Sequence, residues 1–197
     1  MPRKRTIAEV VDYAFIRKLI WVYFLLLIFE GTLRKWILTS QSDLLLVVRD
    51  PFVIWIYYLA YIHGIFPLEN KYIQRLFQWT LLAVTMSFLI NQASPSAIAY
   101  GVRSNLLHMP LIFIMAKVLT KKDVLSFGKA FLFFALPMTW VVAEQFQADR
   151  TDILNVAAGG TGHQLMTSGD KVRASGFFSF VSGIVFYYCF TVAFIIY

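Results

Sequence analysis

The residues of this chain best able to do chemistry are arginines set at the ends or edges of apolar runs. Glu30, Gly31, Arg34 and Lys35 close one long hydrophobic stretch, Arg49 precedes Asp50 and Pro51, and Arg103 interrupts another stretch. Arg150 and Arg173 lie in a polar, glycine-containing segment. A guanidinium keeps its charge and offers a planar fork of donors that matches phosphate oxygens. An ionisable group inside a membrane-type segment is costly, so it faces a cavity or a partner. Of these residues, Arg103 is the hardest to read as a mere lipid contact.

Each position also has a plainer reading. At about 1.5 Å per residue, Arg34 lies roughly 22 Å beyond Leu19, at the depth where a long cation snorkels to lipid phosphate. Asp50 followed by Pro51 is a helix-start pattern. It places Arg49 beside an anion-favouring helix N-terminus, unless Arg49 and Asp50 simply neutralise each other. Tyr100, Ser104 and His108 share one helical face by their spacing of four, with Arg103 at its edge and Asn105 on the other side. His108 fits a hydrogen-bonded packing role better than catalysis.

His163 is the weak candidate for a general base, against the alternative of a solvated loop histidine; no other catalytic residue is legible. Gly159, Gly160 and Gly162 are not followed by the Gly-Lys-Ser/Thr of a phosphate loop, so chain flexibility is their expected role. His63, His108 and His163 lack ligand spacing and Cys189 stands alone, so neither a metal nor a disulfide is expected.

The elements that must position these groups follow from composition. Hydrophobic residues make up 59% of the 197 and charged residues 15%, with a mean hydropathy of +0.66. That exceeds the apolar share of a soluble domain. Long apolar runs with short polar breaks predict an all-α, polytopic transmembrane bundle forming a single domain over residues 1–197. Six spans are expected, near residues 19–38, 44–66, 76–90, 97–119, 124–146 and 177–197, with Pro67 and the Asn91, Gln92, Ser94, Pro95 cluster as breaks. The sizeable loop covers residues 147–176.

With the N-terminus inside, the inner segments carry eleven of the 18 cations, which supports an N-terminus in the cytoplasm. The loop and the arginines named above then lie on the outer side. The net charge of +7 divides between the two faces, so the lipid bilayer, and not nucleic acid, is the expected partner. Because the last run is still apolar at Tyr197, the chain is expected to be a fragment of a longer protein.

Glu30-Gly31-Thr32-Leu33-Arg34-Lys35-Trp36, Arg49-Asp50-Pro51, Arg103, and Val172-Arg173-Ala174-Ser175-Gly176-Phe177-Phe178-Ser179-Phe180 together resemble the O-antigen ligase and O-antigen polymerase superfamily of bacterial envelope proteins. The last element is the most specific, and the resemblance covers the N-terminal part of such a protein. It implies the N-terminal half of a GT-C-like membrane glycosyltransferase in the bacterial inner membrane. That enzyme transfers or polymerises glycan from undecaprenyl diphosphate onto a glycan or lipid acceptor, at the outer face and without a cofactor. It further implies a diphosphate-binding role for Arg34, Arg49, Arg103 and Arg173, with Arg150 and Lys35 as weaker members. Six spans are about half of the family's number, so transferase activity is not expected of this chain alone. The alternative is a non-catalytic transport or scaffold subunit whose arginines anchor lipid headgroups.

Overall fold

The computed structural model describes residues 7–90, 94–160, 164–165, 167–169 and 171–196, with side chains from residue 13 onward. The chain is mostly helical. Helix α1 (Ile7–Thr32) runs into a π turn (Leu33–Ile37), a 3₁₀ turn and the short α2 (Ser42–Leu46), followed by α3 (Asp50–Ile62) and α4 (Lys71–Ile90). Next come α5 (Pro95–Val102), a second π turn (Arg103–His108), α6 (Leu111–Val118) and α7 (Lys121–Gln147). A two-residue hairpin of β1 (Thr167–Ser168) and β2 (Lys171–Val172) precedes α8 (Val181–Ile196). Among the described residues, four helical stretches, residues 39–62, 71–90, 95–118 and 121–147, are long and apolar enough to cross a membrane. This is a helical membrane protein by length and composition.

The chain folds as two compact units. Unit 1 holds the chain through Tyr23 and residues 50–119; unit 2 holds residues 24–49 and 120–197. In unit 1 the buried residues fall at helical spacing: Ile16 and Ile20 on α1, Val53, Ile56 and Ala60 on α3, and Leu111, Ile114 and Val118 on α6. Ser94 caps α5 by accepting from the Ala97 N–H, with Pro95 opening the helix. In unit 2, Thr120 and Asp123 form a reciprocal capping box that starts α7. Apolar helices gain little by hiding from lipid, so close contact and polar ties must hold them together. Here α7 and α8 approach where Gly128 meets the Phe194 ring, and the Tyr187 hydroxyl donates to the Phe131 carbonyl.

Most of each span faces outward. Only 6% of the most apolar window of α4 is buried. Its outward Thr85 and Ser87 hydroxyls turn back to their own helix, onto the carbonyls of Leu81 at 2.9 Å and Ala83 at 2.8 Å.

Several boundaries depart from the expected spans, each for a local reason. The run 44–66 is split at residues 47–49, and its main helix begins at Asp50, where an acid in the first turn favours helix initiation. The run 97–119 is interrupted by the second π turn and by Pro110, which has no N–H to continue the ladder. The helix expected from Phe177 starts at Val181, because residues 173–180 form an irregular strap. The 147–176 segment is also not an open loop. Asn155, Val156, Leu165 and Val172 are buried within it, and the Leu165 N–H donates to the Asn155 carbonyl at 2.9 Å. Gly159 and Gly160 serve conformation rather than flexibility. Their φ of 105° and 84° suits glycine, and a Cβ on Gly160 would lie 2.8 Å from that of Thr39. Gly162 lies outside the described residues.

Candidate functional site

In unit 2, the π turn at the end of α1 gathers the charged residues. The turn inserts an extra residue into the helix, as the Leu38 N–H bond to the Leu33 carbonyl shows, five residues back at 2.7 Å. Arg34 and Lys35 fall inside it and are buried. The Arg34 Nε donates to the Ser42 carbonyl at 3.0 Å and to the Ser42 hydroxyl at 3.2 Å. Its Nη1 reaches Glu30 Oε1 at 3.5 Å and Ser179 Oγ at 3.3 Å. Arg49, from the turn before α3, brings its Nε within 2.7 Å of Glu30 Oε2. One buried carboxylate thus faces two guanidiniums among the described residues.

These three side chains line a pocket of about 190 Å³ whose other walls include Gly31, Ser179, Ser182 and Gly183. Roughly six waters at about 30 Å³ each would fill it, which is space for a small anionic group rather than a sugar chain. Small residues are needed there. A Cβ on Gly31 would stand 2.5 Å from the Phe178 carbonyl carbon and the Ser179 nitrogen, both backbone atoms.

The strap over this pocket is fastened from below. Lys35 is 1% exposed, and its ammonium donates to Ser175 Oγ at 3.1 Å and to the Gly176 carbonyl. Gln145 of α7, fully buried, accepts from the backbone N–H groups of Ser175 and Gly176 at 3.1 and 2.8 Å and donates to the Leu154 carbonyl at 2.8 Å. Gly176 makes the turn with a φ of 57°. The same π turn is covered from the 147–176 segment: the Trp36 indole donates to the Ile153 carbonyl at 3.0 Å, and the Gly159 N–H points at the Arg34 carbonyl at 3.4 Å.

In unit 1, the second π turn is arranged around Asp50. Arg103 meets both carboxylate oxygens, Nε to Oδ2 at 2.6 Å and Nη2 to Oδ1 at 2.7 Å. His108 Nε2 stands 3.4 Å from Oδ1, and its Nδ1 is 3.3 Å from the Tyr23 hydroxyl. In an α-helix, residues five apart point about 140° away from each other at 3.6 residues per turn. The π turn lets its first and last residues address one carboxylate. It also undoes the expected stripe: Ser104 and Tyr100 are exposed while His108 turns inward, and Asn105 donates to Thr80 Oγ1 at 3.4 Å.

Arg34, Arg49 and Lys35 therefore come together in unit 2, and Arg103 is held in unit 1 by Asp50. Arg150 and Arg173, both in unit 2, are exposed, with no hydrogen bond or ion pair among the described residues; His163 lies outside them. Sequence reading missed Gln145, Ser42 and Tyr23. Gln145 had a usable signal, a neutral amide late in a long apolar run. Among the described residues, no three His, Cys, Asp or Glu side chains gather as a metal set. No family model, no curated protein and no solved structure matches this chain.

Proposed function

We propose that this protein binds the diphosphate of a lipid-linked glycan and belongs to a membrane glycosyltransferase of envelope polysaccharide assembly. In this reading the donor is an undecaprenyl diphosphate glycan at the outer face of the bacterial inner membrane. The N-terminus is cytoplasmic, and the six expected spans correspond to the N-terminal half of a GT-C-like ligase or polymerase. One observation carries the reading: Arg34 and Arg49 converge on the single carboxylate of Glu30 on the wall of a pocket of about 190 Å³. A diphosphate that becomes a leaving group needs positive charge as the glycosidic bond breaks.

Arg34 and Arg49 hold the diphosphate in this scheme. Arg34 Nη2 has no hydrogen-bond partner among the described residues, and Ser179 adds a hydroxyl beside Nη1. Lys35, enclosed by Ser175 and Gly176, fastens the strap that carries Ser179. Arg103, whose fork is filled by Asp50, fixes the second π turn. Exposed Arg173 and Arg150 attract the anion on approach.

The test is binding of undecaprenyl diphosphate to the purified protein in detergent, with Arg34 and Arg49 each changed to Lys and to Ala. A bidentate clamp loses nearly as much affinity with Lys as with Ala, about tenfold or more. Retention of affinity by both Lys variants would favour a transport or scaffold subunit whose arginines merely anchor headgroups.

A further inference from the structure

A second pocket, in unit 1, shares no residue with the arginine site. It is the larger of the two, about 600 Å³, and is formed where Gly64, Phe66 and Glu69 of the α3–α4 connection meet Phe113 and Lys117 of α6. Its place in the membrane follows from the ends of the spans. One candidate span ends at Ile62, the next begins at Lys71 and a third ends at Val118, so the pocket opens at a membrane surface.

The chemistry of the lining is that of an interface. Phe66 and Phe113 supply aromatic walls, and Tyr72 stacks on Phe113 with ring centroids 6.4 Å apart. Lys117 reaches the rim, where its ammonium donates one hydrogen bond to the Ile65 carbonyl at 3.1 Å. An ammonium has three donors, so two remain. Opposite, the pocket is bounded by Asn70, whose side chain caps the Tyr72 N–H at 2.8 Å as α4 begins. The first turn of a 20-residue helix favours negative charge. Exposed Lys71 and Arg75 follow in the first two turns, and Glu69 is the acid in the lining. Of these cations only Lys117 lines the pocket, but with Lys71 and Arg75 close by in sequence the α3–α4 connection carries more positive than negative charge, and exposed Leu68 and Tyr72 add apolar surface there.

We propose that this pocket binds the headgroup of an anionic phospholipid, with the phosphate between Lys117 and the start of α4. The acyl chains then run along the outer surface of the adjoining spans, as basic pockets at helix ends commonly arrange. This site does not depend on the glycan-transfer reading.

The experiment uses the full chain in phosphatidylcholine nanodiscs, titrated with phosphatidylglycerol, with bound lipid counted by native mass spectrometry. One phosphatidylglycerol is expected to be retained at saturation in preference to phosphatidylcholine. Lys117→Gln should weaken it about fivefold, as removal of one cation near a membrane surface does. Lys117→Arg should keep the affinity, and Glu69→Gln should raise it. Melting curves of each variant separate lost binding from lost folding. Equal retention of the two lipids overturns the proposal, as does an equal loss in the Gln and Arg variants. Full competition by soluble glycerol phosphate would show that a free phosphate, not a lipid, is the ligand, and would overturn it too.

Discussion

The two described π turns each hold arginine against a carboxylate, yet they differ in how that carboxylate is shared. In unit 1, Asp50 takes two nitrogens of Arg103 at 2.6 and 2.7 Å, and the pair is balanced. In unit 2, Glu30 is divided between Arg34 and Arg49, and all three side chains line a pocket. A balanced pair in a poorly solvated place fixes geometry and has little left for a ligand. An over-shared carboxylate positions its arginines and still leaves them attractive to an anion. The same local device therefore serves shape in one unit and, in our reading, recognition in the other.

Five substitutions can break or sharpen that contrast. The largest effect is expected from Asp50→Ala, which strands Arg103 among protein groups and should lower stability by about 3–5 kcal/mol in a denaturant titration. A loss under 1 kcal/mol would remove the structural role assigned to the pair. Next is Gly31→Ala, whose methyl meets the strap backbone and should cost about 1–3 kcal/mol or more. A melting temperature equal to wild type would mean that the strap can step aside. Third, Arg49→Lys should reduce undecaprenyl diphosphate affinity about tenfold, roughly 1.4 kcal/mol, while Arg103→Lys lowers stability and leaves the affinity of the folded fraction unchanged. Equal affinity losses in the two, at unchanged melting temperature, would erase the distinction between the turns. The smallest change is expected for Arg173→Ala, within about 0.5 kcal/mol in stability because the side chain is exposed and unpaired among the described residues.

Parts of this arrangement are legible in the sequence because they depend on neighbours along the chain. Asp50 with Pro51 marks the start of α3, and Ser94 with Pro95 the start of α5, since a first-turn acid, a cap and an opening proline all act on adjacent residues. The apolar runs locate the helices because solvation by lipid acts on composition. The partners of the charges are a different matter. Nothing in the Arg49-Asp50 pair tells that Arg49 turns to Glu30 and Asp50 to Arg103, 53 positions away. The π turns are equally hidden, because the extra residue is accommodated through the contacts it makes and not through a distinct residue pattern. Val172 to Phe180 stands out as a motif, but its physical meaning appears only with Lys35, Gly31 and Gln145 beneath it.

The outward hydroxyls of α4 carry a consequence for how that helix can vary. Thr85 and Ser87 are already satisfied by the carbonyls of Leu81 and Ala83, so neither asks acyl chains for a hydrogen bond. Replacement by alanine or valine should leave insertion intact, whereas asparagine or glutamine, whose larger amides cannot be quenched by a single backbone oxygen, would seek a companion helix. Selection on this surface therefore acts through compatibility with hydrocarbon more than through complementarity to any one neighbour.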